Sequence, residues 1–193
     1  MNKEAANDFR KYGYAKTILK EIIKKCVKFG DFTLSSGKKS DFYVNCKEIM
    51  LSLDFMHYFS MYVREEFKEV NYGEPNFCSH AIGMTSGADP MICALIALNY
   101  FSGSFVRKQQ KEHGMKSRID GKFEKGTRCL VVDDVLTTGN SIIEVDKIAI
   151  DAGLIPRIVL VLVDRQENDA KKRVVEETGL NVVSIFKRDD FIK

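Results

Sequence analysis

The chain has 193 residues, of which 45% are hydrophobic and 30% are charged, a composition typical of a globular protein rather than a disordered one. This length suits one domain, expected over residues 1–193. A net charge of +3 gives no indication of a nucleic-acid-binding coat or a membrane-surface protein.

The amino-terminal quarter of the chain predicts a helix followed by two short strands. Apolar residues recur at helical spacing from about Glu4 to Val27, and Gly30 follows as a stop signal. Strands are predicted at Phe32–Leu34 and Phe42–Val44, around a turn rich in serine and lysine. We expect residues 1–50 to form this helix and a small hood over the rest of the domain.

After the hood, helices and strands alternate along the chain. Helices are predicted at residues 51–69, Pro90–Tyr100, Asn140–Ala152 and Glu167–Thr178. Strands are predicted at Phe77–Ile82, Ser104–Val106, Arg128–Val132, Arg157–Val163 and Val182–Ile185. Several strands are continuously apolar, which is typical of strands covered on both faces. The pattern predicts an α/β fold with a doubly wound, mainly parallel sheet flanked by helices and a core over about residues 70–186.

The cysteines are few and widely spread, and none forms a C-x-x-C pair, so a finger-type zinc site is not expected. The chain also shows no secretory signal and no apolar stretch long enough to cross a bilayer. We therefore expect a soluble, cytoplasmic protein with reduced thiols.

The strongest candidate site is the segment Leu130–Ser141, which reads LVVDDVLTTGNS. A buried strand leads into two carboxylates, then into a small hydroxyl-rich turn, then into a helix. Backbone N–H groups at a helix N-terminus favour an anion, and Gly139 lets the backbone approach it closely. The turn is therefore predicted to bind a phosphate. Asp133 and Asp134 could hold sugar hydroxyls, or Mg²⁺ through its water molecules.

A plainer interpretation of this segment is that Asn140 or Ser141 only caps a helix and that the aspartates are a solvated strand end. The buried strand before the aspartates favours the binding site. The chain contains neither a Walker loop nor a G-x-G-x-x-G motif, which disfavours dinucleotide binding.

The segment resembles the phosphoribosyl-diphosphate-binding motif of the type I phosphoribosyltransferases. The resemblance implies that Asp133 and Asp134 hold the ribose hydroxyls of the donor and that the turn binds its 5′-phosphate. It further implies that Mg²⁺ binds near these aspartates through the diphosphate and water, with no direct protein ligand. The donor-binding residues implied here are Asp133, Asp134, Val135, Leu136, Thr137, Thr138, Gly139, Asn140 and Ser141.

A second candidate is the polar segment Val106–Lys116, VRKQQKEHGMK, which predicts a mobile loop. A charged loop by itself is usually only solvated. This one closely resembles the V-R-K-x-x-K-x-H-G loop of the orotate phosphoribosyltransferases, which closes over the diphosphate across a homodimer interface. The resemblance implies that the diphosphate binds to Arg107, Lys108, Lys111 and His113. It assigns catalytic roles to Lys111 and His113, together with Asp133 and Asp134.

Two further segments resemble the same family. The first is FGDFTLSSGKKS over residues 29–40 with FYVN after it, similar to a hood whose backbone at Tyr43 and Val44 covers the orotate ring. The second is the D-R-Q-E stretch, in which Arg165 would pair with the orotate carboxylate while Thr137 contacts the same substrate. A surface ion pair of Arg165 with Glu167 or Asp164 is the alternative.

The chain also departs from the family pattern. Many members carry lysine where this chain has Ser35 and Ser86, so diphosphate binding would depend more on backbone amides and on the mobile loop.

These resemblances imply transfer of a phosphoribosyl group from phosphoribosyl diphosphate to orotate, giving orotidine 5′-monophosphate in pyrimidine (UMP) biosynthesis. The expected partners are these small molecules, Mg²⁺ and a second copy of the chain, with no nucleic acid and no membrane. Two alternatives remain at this point. One is a purine-type phosphoribosyltransferase, and the other is a non-catalytic regulator that senses phosphoribosyl diphosphate.

Overall fold

The structure is a computed structural model that describes residues 3–33, 39–71, 78–98, 101–109 and 117–192. The helices are α1 (Lys3–Lys24), α2 (Lys47–Met50), α3 (Leu53–Asn71), α4 (Asp89–Ala97), α5 (Asn140–Asp151) and α6 (Ala170–Thr178). The strands are β1 (Val27–Thr33), β2 (Lys39–Val44), β3 (His80–Met84), β4 (Ser102–Val106), β5 (Ile119–Asp120), β6 (Arg128–Leu136), β7 (Ile155–Asp164) and β8 (Asn181–Lys187). A 3₁₀ turn follows at Arg188–Phe191.

The main sheet has six described strands in the order β5-β4-β3-β6-β7-β8. All neighbours pair in parallel except β5, which runs antiparallel to β4. This arrangement confirms the predicted α/β fold with a mainly parallel sheet. Strand β5 was not predicted, because two residues are too short to show a periodic pattern.

Alternate residues of the central strands enter two separate cores. Leu130 and Val132 of β6 pack with residues of α1, α3 and α4, whereas Val131 packs with residues of α5 and α6. Helices therefore cover both faces of the sheet, which explains why its strands are continuously apolar.

The hood consists of β1 and β2, which form an antiparallel pair. The predicted end of the first helix was wrong, because α1 ends at Lys24 and Gly30 lies inside β1. Gly30 has a φ of +153° and stands where the strand register shifts between Phe29 and Phe32, so it marks a bulge rather than a helix stop. That the whole chain forms one domain remains a prediction.

Strand β6 is longer than predicted and extends past Val132 to Leu136. It continues because the backbone keeps pairing with β7 as far as Leu136 and Asp164. Asp133 and Asp134 therefore lie in the strand rather than in the turn after it, and the turn begins at Thr137.

Among the residues that the structure describes, no helix is long and apolar enough to cross a membrane. All five cysteines are free thiols, and four of them are buried.

Candidate active site

The carboxyl ends of β3, β4, β6 and β7 meet at one edge of the sheet, as parallel pairing requires. The segments after these strands contact one another directly. Thr85 N donates to Val106 O at 2.8 Å, and Arg165 N donates to Leu136 O at 3.1 Å. This edge brings together the described members of the predicted site.

Asp133 is buried at this edge and lies in a small hydrogen-bond network. Its Oδ2 accepts from Ser141 Oγ at 2.5 Å, and its Oδ1 accepts from Asp134 N at 3.1 Å. Burial raises the pKa of Asp133 to about 7, and the negative charge of Asp134 adds to that rise, while the Ser141 hydrogen bond opposes it. The half-buried Asp134 accepts from Val135 N at 2.9 Å. The pair therefore favours a bound cation or further hydrogen-bond donors.

The turn after β6 is shaped by Gly139, which has a φ of +79°. A Cβ at this position would lie 2.5 Å from Val174 Cγ2 of α6, so only glycine fits. Helix α5 starts directly after Gly139 without a side-chain cap, and the Ser141 hydroxyl donates to Asp133 instead. The plain capping interpretation of this segment therefore fails.

Arg173 of α6 donates hydrogen bonds to the same turn, a role that the sequence did not indicate. Its Nη1 donates to Thr138 O at 3.2 Å and to Asn140 Oδ1 at 2.7 Å. The arginine lies 33 residues beyond Asn140, so no local motif contains both. Thr137 and Thr138 are half-buried in this turn, whereas Val135 and Leu136 belong to β6.

The loop after β3 approaches the acid pair closely. A Cβ on Gly87 would lie 2.6 Å from Asp134 Oδ1. Glycine at this position therefore allows the backbone of the loop to reach the carboxylate.

Arg165, directly after β7, is buried and ties the hood to the main sheet. Its Nη2 donates to Phe42 O at 2.6 Å, to Ser40 Oγ at 2.9 Å and to Glu167 Oε1 at 3.1 Å. The ion pair with Glu167 that was considered as an alternative is therefore present. However, the buried Nε of Arg165 has no hydrogen-bond partner among the described residues. Such a donor needs an acceptor that the described residues do not supply, such as a water molecule or a ligand.

The predicted hood residues lie next to this arginine. Tyr43 and Val44 follow Phe42, whose carbonyl accepts from Arg165. Tyr43 packs against Phe32 with ring centroids 5.4 Å apart, and the Val44 side chain is buried. Ser40 and Glu167 complete the network around Arg165, although the sequence assigned them no role because 127 positions separate them.

Helix α6 begins at Ala170 rather than at the predicted Glu167. Gln166, Asn168 and Asp169 have φ between 50° and 57°, which is incompatible with a right-handed helix. This irregular start leaves Glu167 in position to contact Arg165 and Ser40.

The base of the predicted mobile loop is described, but its centre is not. Arg107 forms an ion pair with Asp120 of β5. Arg118 Nε donates to Arg107 O at 2.9 Å and its Nη2 lies 2.6 Å from Glu144 Oε1, so Arg118 anchors the loop to α5. Lys108 is exposed, and the predicted catalytic residues Lys111 and His113 lie outside the described residues.

The donor atoms at the acid pair suit Mg²⁺. They are carboxylate and hydroxyl oxygens, which are the ligands that this hard cation prefers. The part of the chain that the structure describes holds no group of three or more His, Cys, Asp or Glu that could bind a metal ion. A site with two carboxylates fits a hydrated Mg²⁺ that also binds substrate phosphates.

No protein-family model matches the chain. Among curated proteins, the chain is 34% identical over 156 residues to orotate phosphoribosyltransferase of Pyrococcus horikoshii, covering 81% of each chain. It is 34% identical over 179 residues to the Aquifex aeolicus protein of the same name, covering 89% of this chain and 93% of that protein. Among solved structures, Mycobacterium tuberculosis orotate phosphoribosyltransferase matches with a TM-score of 0.75 and 30% identity, covering 92% of this chain and 98% of that one. The acid pair, the glycine-containing turn and the buried arginine thus belong to a member of the orotate phosphoribosyltransferase family.

Proposed function

We propose that the chain transfers the phosphoribosyl group of 5-phosphoribosyl 1-diphosphate to orotate, giving orotidine 5′-monophosphate and diphosphate on the way to UMP. The observation that carries this proposal is the position of Arg165. This buried cation has a hydrogen-bond donor without a partner among the described residues, and it follows the strand next to the one that bears Asp133 and Asp134. Its geometry suits the carboxylate that distinguishes orotate from a purine.

In this proposal the acid pair and the turn bind the ribose 5-phosphate part of the donor. Ribose hydroxyls donate to Asp133 and Asp134, and the backbone N–H groups of residues 137–141 receive the 5′-phosphate. Hydrogen bonds from hydroxyls favour the ionised carboxylate, so donor binding would lower the raised pKa of Asp133.

Mg²⁺ would be held near Asp133 and Asp134 through water and through the diphosphate oxygens. When bound, Mg²⁺ would neutralise part of the negative charge of the diphosphate. The chain's own contribution is to position the donor and to exclude water around it.

The reaction needs no nucleophile from the protein. A ring nitrogen of orotate attacks the anomeric carbon of the ribose through an oxocarbenium-like state. The bond from this carbon to the diphosphate oxygen breaks, diphosphate leaves from the opposite face, and the nitrogen releases its proton. Arg107, Lys108, Lys111 and His113 stabilise the leaving diphosphate. In this role the Arg107 guanidinium must either bind the diphosphate while it stays paired with Asp120 or break that ion pair.

Replacing Lys111 with alanine is expected to lower kcat by at least about a hundredfold, since loss of one transition-state donor typically has an effect of this size. The melting temperature should not change, because the substitution removes only a loop cation. Steady-state rates and a thermal melt measured on the same preparation test this. Wild-type turnover in this variant would contradict the role of the loop.

We also propose that the chain is a cytoplasmic homodimer in which the 107–118 loop completes the partner's site. A mixture of Lys111→Ala and Asp133→Asn, each inactive alone, would then regain roughly a quarter of wild-type activity, because half of the dimers contain one complete site. Mixing followed by a rate assay measures this recovery. A mixture as inactive as its components would show that each chain uses its own loop.

Base selectivity tests the proposed function. With phosphoribosyl diphosphate and Mg²⁺ present, the protein should consume orotate and leave hypoxanthine unchanged. Consumption of hypoxanthine alone would favour the purine-type alternative. Binding of phosphoribosyl diphosphate without consumption of either base would favour the non-catalytic regulator.

A further inference from the structure

A lysine outside the predicted site lies at the same edge of the sheet. Lys47 is the first residue of the short helix α2, which follows the hood strand β2. Its side chain is exposed, and its Nζ donates to Ser86 Oγ at 2.9 Å. Ser86 belongs to the loop after β3, so a cation from the hood side of the chain reaches a loop of the main sheet.

The loop that Lys47 contacts is part of the acid-pair region. Gly87, next to Ser86, packs against Asp134 so closely that a Cβ would lie 2.6 Å from Oδ1. Lys47 is therefore within electrostatic range of the candidate donor site.

The surroundings of Lys47 contain acids but no direct ion-pair partner for it in the described ranges. Burial raises the pKa of Asp89, which begins α4 just after the loop, and the charge of Lys47 opposes that rise. The loop and its flanks, Gly83–Pro90, read GMTSGADP and contain no cation of their own. An anionic ligand on this loop would find Lys47 as a positive charge already in contact with it.

We propose that Lys47 binds the diphosphate of phosphoribosyl diphosphate and supplies the positive charge that the loop after β3 lacks. The inference rests on the proposed function. Lysine is a compact point charge on a flexible stem, so its ammonium can move from Ser86 Oγ to a phosphate oxygen with little rearrangement. Lys47 would contact the same diphosphate in the substrate and in the released product.

The test compares Lys47→Gln and Lys47→Arg with Lys172→Gln, a matched charge removal at an exposed position of α6. Calorimetric titration with magnesium diphosphate measures binding without turnover, and steady-state kinetics give the KM for each substrate. Lys47→Gln should weaken diphosphate binding and raise the KM for phosphoribosyl diphosphate by roughly tenfold to a hundredfold. The melting temperature of Lys47→Gln and its KM for orotate should match those of wild type. Lys47→Arg should recover most of the diphosphate affinity. Lys172→Gln should behave as wild type.

Unchanged diphosphate affinity in Lys47→Gln would overturn the inference. So would equal rises in both KM values together with a lower melting temperature, since that result indicates a structural role. If the wild-type protein binds diphosphate but does not consume orotate, the proposed function fails, and the titration of Lys47→Gln still decides the role of Lys47.

Discussion

Replacing Arg165 with glutamine is expected to lower kcat/KM for orotate by roughly a thousandfold, mainly through the KM, while diphosphate affinity stays unchanged. The guanidinium is buried, and its Nε has no described partner within the protein. Removing one member of a buried, charged hydrogen-bond pair typically costs about 2–5 kcal/mol, and each 1.4 kcal/mol corresponds to about tenfold. Initial rates at varied orotate concentration measure the change.

Arg165→Lys separates charge from geometry. It keeps the positive charge but loses the planar fork that matches a carboxylate, so most of the defect should remain. Arg157→Gln is the matched control, because this exposed arginine lies on the same strand β7 near its opposite end. Normal orotate kinetics in Arg165→Gln would contradict the assignment of Arg165 to the orotate carboxylate.

Replacing Asp133 with asparagine is expected to reduce kcat/KM by roughly 10²–10³-fold and, at the same time, to stabilise the folded protein at neutral pH. Activity falls because a charged acceptor for the ribose hydroxyls is lost. Stability rises because asparagine carries no charge to bury near Asp134, while its carbonyl can still accept from Asp134 N and its amide can donate to the Ser141 hydroxyl. The difference between the folded pKa of about 7 and the unfolded value of about 3.9 corresponds to a gain on the order of 4 kcal/mol above pH 7.

This stabilisation should depend on pH in a definite direction. The pKa of Asp133 is about 7 in the folded protein, against about 3.9 in an unfolded chain. Between these values the folded state holds more protons on the carboxyl than the unfolded state, so this group makes the protein less stable as the pH rises from about 4 to about 7. The advantage of Asp133→Asn should therefore vanish near pH 4. Urea denaturation at several pH values measures the difference in unfolding free energy between Asp133→Asn and wild type. An equal gain in stability at every pH would contradict the raised pKa of Asp133.

The regular part of the fold could be predicted because it follows from local pattern. Uninterrupted apolar runs that alternate with segments of helical spacing predict strands covered on both faces. The buried residues of β6 and β7 confirm this prediction. Strand β6 extended further than predicted because pairing with β7, rather than apolar composition, carries it through Asp133 and Asp134. Gly30 was assigned to a helix end because a bulge depends on the partner strand, which the sequence does not show.

The candidate site likewise has residues that the sequence could predict and contacts that it could not. Asp133, Asp134 and the glycine turn form one continuous segment, so a motif could indicate them. The contacts around the site join distant parts of the chain. Arg173, which contacts the turn, lies 33 positions from Asn140, and Lys47 lies 39 positions from Ser86. Arg118 lies close in sequence to the loop cations, yet it forms an ion pair with Glu144 and donates to the backbone at the base of the loop. Only the folded arrangement separates a ligand-facing cation from a structural one.

Product stoichiometry tests the central claim most directly. The protein is incubated with orotate, phosphoribosyl diphosphate and Mg²⁺, and orotidine 5′-monophosphate and diphosphate are quantified by chromatography over time. We predict that both products appear in equal amounts, only when both substrates are present, and that Asp133→Asn and Arg165→Gln suppress them together. Release of diphosphate with ribose 5-phosphate and no orotidine 5′-monophosphate would contradict the claim that this site transfers phosphoribosyl to orotate.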